Sequence, residues 1–373
     1  MSAASQAAGQ AAIQTAIQTA IQTGGRVTEG TLLEVTDLQT HFRTERGLVR
    51  AVDGVTFSLE RGKSLGIVGE SGSGKTVLSR TIMGLLPSNA VLHGSVRFAG
   101  QETLGLDAKQ MRHLWGREMS MVFQNPMVSL NPLMRIGRQI AEPLMIHLGM
   151  DKQNARETAL ALLRDVRIPE PEKRLDQLPH ELSGGMRQRV MIAIALACGP
   201  TLLFADEPTT ALDVTVQAQI LELIGEQRRD RNMSVILVTH DLGVVAGHTD
   251  EIAVMYGGRL VEKASTKQLF ANMKMPYTKS LMRSIPKLAD PSHTRLLTIP
   301  GRPPDLVNPP KGCGFAPRCL YARQRCIDER PVLEPTAESD QHVFACWYPV
   351  GSPEFEARDV EILSQVSVAG RSR

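Results

Sequence analysis

The amino-acid sequence predicts an α/β fold: a mainly parallel sheet with helices on its faces, followed by a small, loop-rich C-terminal extension containing four cysteines. Three observations lead there. Short, mainly apolar runs at Ser64 to Gly69, Met119 to Phe123, Thr201 to Ala205 and Ser234 to Thr239, the last two rich in Leu, Val and Ile, are bounded by polar turn residues. Stretches of helical periodicity separate these runs, the alternation expected of a parallel sheet with covered faces. After about Ser265, prolines from Pro276 to Pro335 break regular elements at short intervals.

Composition narrows the function. The 373 residues exceed one average domain. With 42% hydrophobic and 22% charged residues, the chain is not wholly disordered. A net charge of +3 is too balanced for an obligate nucleic-acid binder, and 4% aromatics leave no platform for base stacking. The longest uncharged apolar run, Val190 to Ala205, contains Gly199-Pro200 and falls short of the ~20 residues a spanning helix needs. The opening MSAASQAAGQ lacks the basic and apolar segments of a secretory signal, so the expectation is a chain that stays in the cytoplasm.

Taken in order, residues 1–30 are a low-complexity tail in which Ala-Ile-Gln-Thr recurs in register from Ala12 to Thr23. Ile13, Ile17 and Ile21 fall near one helical stripe, too short to hold a core, and a flexible extension closed by Gly24-Gly25 is expected. Residues 31–265 carry the alternating pattern. Within them, about 131–200 form a helical subdomain, with apolar residues at helical spacing from Ile136 to Leu163 interrupted near Asp151. Residues 266–350 form the extension, and 351–373 a second flexible tail.

Gly69-Glu70-Ser71-Gly72-Ser73-Gly74-Lys75-Thr76 fits GxxxxGK[ST], between an expected strand and a helix expected from Lys75 to Leu86. The chemistry requires that context. Glycines let backbone N–H groups curl round phosphate oxygens, and the helix start adds partial positive charge. Lys75 reaches the β- and γ-phosphates, and the Thr76 hydroxyl ligates Mg²⁺. The run from Thr201 ends in Asp206 and Glu207. Asp206 is placed to bind Mg²⁺ through its water shell, and Glu207 to polarise a water in line with the γ-phosphate. Two more strand ends carry Gln124, suited to touch metal or water, and His240, suited to donate to a γ-phosphate oxygen.

Leu182-Ser183-Gly184-Gly185-Met186-Arg187-Gln188-Arg189 resembles the signature of ATP-binding cassette (ABC) ATPases and stands where that family has it, between Gln124 and Asp206. Ser183, Gly184 and Gly185 open a helix expected to run to about Cys198, and its start makes a second anion site. The resemblance implies a P-loop NTPase of ABC type: a mainly parallel sheet, an antiparallel β part and a helical subdomain. It also implies two cassettes dimerised head to tail, each signature closing on the other's phosphate loop. Thr210-Ala211-Leu212-Asp213 resembles the loop connecting the two sites, with Thr210 where many members have Ser. Phe42 matches the adenine-stacking aromatic, usually Tyr. Gln124-Asn125-Pro126-Met127-Val128-Ser129-Leu130-Asn131-Pro132, Ala211 to Gln217, Thr298 to Gly301 and Gly312 to Cys319 are similar to the ATPases of oligopeptide and dipeptide permeases, nearest the D-type. That implies a peripheral subunit on the cytoplasmic membrane face, paired with a homologous F-type ATPase. Two permease subunits and an external peptide-binding protein complete such an importer. Cargo does not touch the ATPase, so nickel, glutathione or another small solute stays open as an alternative. A soluble ABC ATPase of translation or DNA repair fits less well, because this chain has one phosphate loop, one signature and no sustained heptads.

Cys313, Cys319, Cys326 and Cys346 crowd into the extension, without the paired Cys-x2-Cys knuckles usual for zinc. Four thiolates suit Zn²⁺ or a [4Fe–4S] cluster, and unligated buried thiols are the third reading. The resemblance to members carrying a cluster here favours iron–sulfur, in a structural role. Cys198, in a helix buried by pattern, is expected only to pack.

Overall fold

A computed structural model of the chain describes residues 30–210, 212–285 and 299–369. The repeat between Ala12 and Thr23 lies outside them. The chain divides into two compact units, one comprising Glu60–Lys63 and Asp107–Val235 with the chain up to Leu32, the other Leu33–Leu59, Ser64–Leu106 and Ile236–Arg373.

In the first unit, strands Met119–Val122 and Leu202–Asp206 run parallel, with Met119 opposite Leu202 and Val122 opposite Ala205. Every residue of both is buried. A parallel strand covered on both faces has no polar side, which is why these segments read as mainly apolar runs, interrupted by Ser120 in the first and closed by Asp206 in the second. Helices Ile136–Leu148 and Lys152–Asp165 follow each other as the periodicity predicts. Gly149 at φ 67 ends the first, and the Asp151 carboxylate starts the second by accepting the N–H groups of Gln153 and Asn154. Each buries one stripe, Ile136, Ile140 and Leu144 in the first and Ala155, Ala159 and Leu162 in the second. Helix Gly184–Leu196 differs, with Val190, Met191, Ile192, Ala193, Ala195 and Leu196 all buried. Its C-terminal half, apolar all round, belongs in an interior, whereas its N-terminal end leaves Ser183 and Gly184 exposed.

In the second unit, Ser64–Val68 lies parallel to Glu251–Tyr256, with Val68 opposite Val254. Arg259–Ser265 returns antiparallel to Glu251–Tyr256. The two-residue turn between them is Gly257-Gly258, at φ 55 and 81. Two successive positive φ values are what a type I′ hairpin turn demands. The proline-rich extension then continues this sheet, since Ser339–Phe344 pairs with Arg259–Ser265 and Glu334–Thr336 pairs with Ser339–Phe344. Fully buried Glu262 seats that hairpin, with His342 Nε2 2.9 Å from its Oε1 and the Met275 N–H donating to Oε2 at 3.1 Å. A four-stranded sheet orders Gly47–Glu60, Thr31–Thr44, Ala90–Phe98 and Gln101–Glu102. Thr31–Thr44 and Ala90–Phe98 are antiparallel.

Two expectations are corrected. The helix opening at Lys75 ends at Ile82 rather than Leu86, because Gly84 at φ 66 lets a Schellman motif close it. The Leu85 N–H donates to Arg80 O at 2.8 Å, and the Gly84 N–H to Thr81 O at 3.0 Å. Residues 351–373, expected as a flexible tail, contain helix Pro353–Ala369. Its anchor is Phe355, fully buried and stacked on Tyr321 with ring centroids 4.0 Å apart. Among the described residues, no helix is long and apolar enough to cross a membrane.

Candidate nucleotide site

The phosphate loop lies in the second unit, between strand Ser64–Val68 and helix Lys75–Ile82. Two of its glycines are sterically obligatory. A Cβ on Gly69 would sit 2.2 Å from the Met255 carbonyl oxygen, and one on Gly74, at φ 102, 2.2 Å from that of Ala51. Gly74 is the N-cap and offers no side chain to the first turn, so its N–H groups are not claimed by a capping side chain, as phosphate binding requires. Lys75 is 4% exposed, and its Nζ donates to Gly69 O at 2.7 Å and Glu70 O at 2.9 Å, arching over the loop. The buried Ser73 Oγ has no hydrogen-bond partner. Ser71, Gly72 and Thr76 complete the loop, Gly72 at φ 79.

In the first unit, strand Leu202–Asp206 delivers Asp206, 2% exposed, and then Glu207. Glu207 has φ 46, a left-handed conformation that costs a non-glycine residue about 1–3 kcal/mol and clusters at functional sites. Its Oε2 accepts from Gln124 Nε2 and from Thr210 Oγ1, each at 2.9 Å. Gln124 and Glu207, predicted independently from two strand ends, therefore meet. Thr210, which stands where many members of the resembled family have Ser, carries no mark in the sequence of this bond to Glu207. His240, in the second unit, is exposed at the end of strand Ser234–Thr239.

The signature lies at the tip of helix Gly184–Leu196, in the first unit. Ser183 is its N-cap and accepts the Met186 N–H at 3.3 Å. Gly185 packs so closely that a Cβ would lie 2.9 Å from Val216 Cγ1, whereas Gly184 is less confined. Gln188 is 2% exposed, and its Nε2 has no partner. Asp213 caps helix Val214–Asp230 by accepting the Val216 N–H at 2.9 Å, a local structural use of that side chain. Phe42 is half-buried on strand Thr31–Thr44, opposite Ala90.

Glu70, inside the phosphate loop, is a second partner invisible in the sequence. Its carboxylate pairs with Arg318 of the extension, and its N–H meets Tyr277.

Cys313, Cys319, Cys326 and Cys346 line one small cavity together with Phe315 and Tyr321. Burial pushes the Cys319 thiol up to about 12 and raises those of Cys313 and Cys346, and proximity of the other sulfurs adds to each. Convergence of four thiols spread over the extension suits a shared ligand. Yet among the described residues no group of three or more Cys, His, Asp or Glu is preformed around one metal ion. The helix expected to reach Cys198 ends at Leu196, so Cys198 stands half-buried in the turn beyond it rather than in a buried helix; burial raises its thiol to about 11, and its Sγ donates to Pro143 O at 3.5 Å.

The sequence matches the ABC transporter family over residues 52–210 and the family described as "Oligopeptide/dipeptide transporter, C-terminal region" over residues 261–326. It is 50% identical over 319 residues to the oligopeptide transport ATP-binding protein OppD of Salmonella typhimurium, covering 86% of this chain and 94% of that one. It is 49% identical over 318 residues to the dipeptide transport ATP-binding protein DppD of Bacillus subtilis, covering 85% and 94%. Among solved structures, a dimeric ATP-binding cassette in a post-hydrolysis state with ADP and Pi superposes with a TM-score of 0.57 at 26% identity, covering 63% of this chain and 98% of that one.

Proposed function

The chain belongs to the ABC transporter ATPases, within their oligopeptide and dipeptide transport branch, and from that membership we propose that it hydrolyses ATP to drive peptide uptake. The observation that carries the reading is the presence, on one chain, of a cassette sequence and of the extension that marks peptide transporters. The fold serves the chemistry. Lys75, Ser71, Gly72, Ser73, Gly74 and Thr76 supply the charge and N–H groups that grip a polyphosphate. Mg²⁺, held by Thr76, Asp206 and Gln124, would neutralise charge on the phosphates. Glu207, oriented by Gln124 and Thr210, takes the proton of the attacking water. His240 donates to the γ-phosphate, and Phe42 stacks on adenine. Ser183, Gly184, Gly185 and Gln188 close over the nucleotide of a partner cassette, with Asp213 in the loop linking the two sites.

The same reading makes the partner a homologous F-type ATPase on the cytoplasmic face of the membrane, served by two permease subunits and an external peptide-binding protein. The four cysteines hold a [4Fe–4S] cluster, with zinc as the alternative, to brace an extension poor in apolar core.

The test is reconstitution with the membrane subunits and measurement of ATP hydrolysis with and without peptide. Peptide-dependent stimulation is expected. Stimulation by nickel or glutathione alone would move the cargo, and absence of any ATP hydrolysis would overturn the reading. Iron and acid-labile sulfide at about four each per chain support the cluster; stoichiometric zinc replaces it.

A further inference from the structure

Glu70 is the only acid in the phosphate loop, and a carboxylate there repels a polyphosphate. All three of its polar groups are nevertheless anchored within the second unit. Arg318 grips the carboxylate bidentately, Nη1 to Oε2 at 2.6 Å and Nη2 to Oε1 at 2.9 Å. The Glu70 N–H donates to Tyr277 Oη at 2.9 Å, and its carbonyl accepts from Lys75 Nζ at 2.9 Å. Arg318 is itself fixed, 7% exposed, with Nε donating to Pro300 O at 2.7 Å, Nη1 to Tyr256 Oη at 3.2 Å and Nη2 to Ile299 O at 3.3 Å. Tyr256, Tyr277 and Phe315 pack ring against ring behind it, with centroids 4.6 to 5.3 Å apart. Arg318 stands immediately before Cys319 in the segment that begins at Cys313.

We infer that Arg318 is a positioning residue for nucleotide binding: through it the cysteine-bearing extension fixes the path of the phosphate loop and cancels the charge of Glu70. The guanidinium matches a carboxylate in a planar fork, which a lysine does not reproduce. Its loss acts twice. The Glu70–Lys75 peptide arch loses its outer anchor, and an unpaired carboxylate is left beside the phosphates. The second effect distinguishes this role from simple scaffolding. It grows with the number of phosphates on the ligand, and neutralising Glu70 relieves it.

The inference rests on the nucleotide reading above, and one experiment separates the two. The full-length chain is titrated with MgATP, ADP and AMP as wild type, Arg318→Met, Arg318→Lys, Glu70→Gln and the Glu70→Gln/Arg318→Met double variant. Wild type that binds no MgATP defeats the nucleotide reading. With wild type binding, Arg318→Met is expected to weaken MgATP roughly tenfold or more, the scale of a lost charge-assisted pair. ADP should weaken less and AMP least, and the double variant should recover part of the ATP loss. Equal losses for all three nucleotides, an unchanged ATP affinity, or a double variant no better than Arg318→Met overturns the inference. If Arg318→Met does not fold, Arg318→Lys decides in the assembled transporter. It keeps the charge and drops the fork, so KM for ATP should rise several-fold with kcat within about twofold of wild type; an unchanged KM overturns the role.

Discussion

Replacing Glu207 by glutamine separates chemistry from architecture at the strand end. Glu207 holds its left-handed backbone, φ 46, directly after a strand buried along its whole length. A glutamine meets the same conformational cost, and its carbonyl can accept the bonds now given by Gln124 and Thr210, both 2.9 Å long. Fold and nucleotide affinity therefore survive the change. What disappears is a group able to take a proton from water. A positioned general base contributes about 10²–10⁴ in rate, equal to about 3–5 kcal/mol of barrier. Thr210→Ala removes only one bond to the carboxylate, about 1.5–3 kcal/mol of local interaction, and leaves the base present. The expected order is thus a loss of about 10²–10⁴ in kcat for Glu207→Gln and a clearly smaller loss for Thr210→Ala. Single-turnover hydrolysis of γ-labelled ATP by the assembled transporter reads this, with ATP affinity measured alongside. Hydrolysis by Glu207→Gln within tenfold of wild type, at unchanged affinity, would refute the role of Glu207 and the orienting roles of its two partners.

Other outcomes follow from the same geometry. Lys75→Ala deletes the bonds to Gly69 O and Glu70 O and the charge meant for the phosphates; ATP affinity should fall by about two orders of magnitude, at about 1.5–3 kcal/mol per charge-assisted bond, and calorimetric titration checks it. Gly74→Ala combines φ 102 with a Cβ 2.2 Å from Ala51 O, whereas Gly100→Ala has φ 81 and no atom within 4 Å. The urea midpoint should drop for both, and further for Gly74→Ala, because only there must the backbone also move; equal drops contradict the steric account. Phe355→Ala removes the fully buried anchor of the C-terminal helix, so hydrogen exchange in residues 353–360 should accelerate by about two orders of magnitude, matching roughly 3 kcal/mol of lost burial and stacking. Protection equal to wild type would mean the helix is held elsewhere. In metal-free protein the Cys319 thiol lies at about 12 against 9.0 for a free thiol. A raised folded-state value stabilises fully below pH 9 and is lost as pH rises toward 12; Cys319→Ser should flatten the alkaline fall in melting temperature.

Local chemistry accounts for most of what the sequence made legible. A buried parallel strand has to be apolar along its length and polar where it stops, so Ser234–Thr239 was located to the residue and Leu202–Asp206 to within one. The phosphate loop was equally readable, because its glycines, lysine and threonine are adjacent in the chain and the conformation they need is local. Gln124 and Glu207 came from strand ends alone, and their meeting follows from the parallel pairing of Met119–Val122 with Leu202–Asp206. Asp213 shows the limit of family pattern. The resemblance puts it in a loop between two sites, whereas the structure shows its carboxylate capping the helix it precedes.

The helix from Pro353 carried local start signals, Pro353 itself with Glu354 and Glu356 in the first turn. What holds it is Phe355 against Tyr321 and Asp359 near Lys279, contacts supplied by distant chain. Arg318 and Glu70 stand 248 residues apart, and neither an arginine between cysteines nor an acid in a glycine-rich turn announces a partner. Backbone conformation, strand burial and the phosphate-binding loop were thus determined by the residues in their own neighbourhood, through sterics and hydrophobicity acting over a few positions. The convergence of four cysteines, the docking of the last helix and the grip of the extension on the phosphate loop were decided only when folding brought remote segments together, since charge pairing and ring stacking act through space and leave no period in the chain.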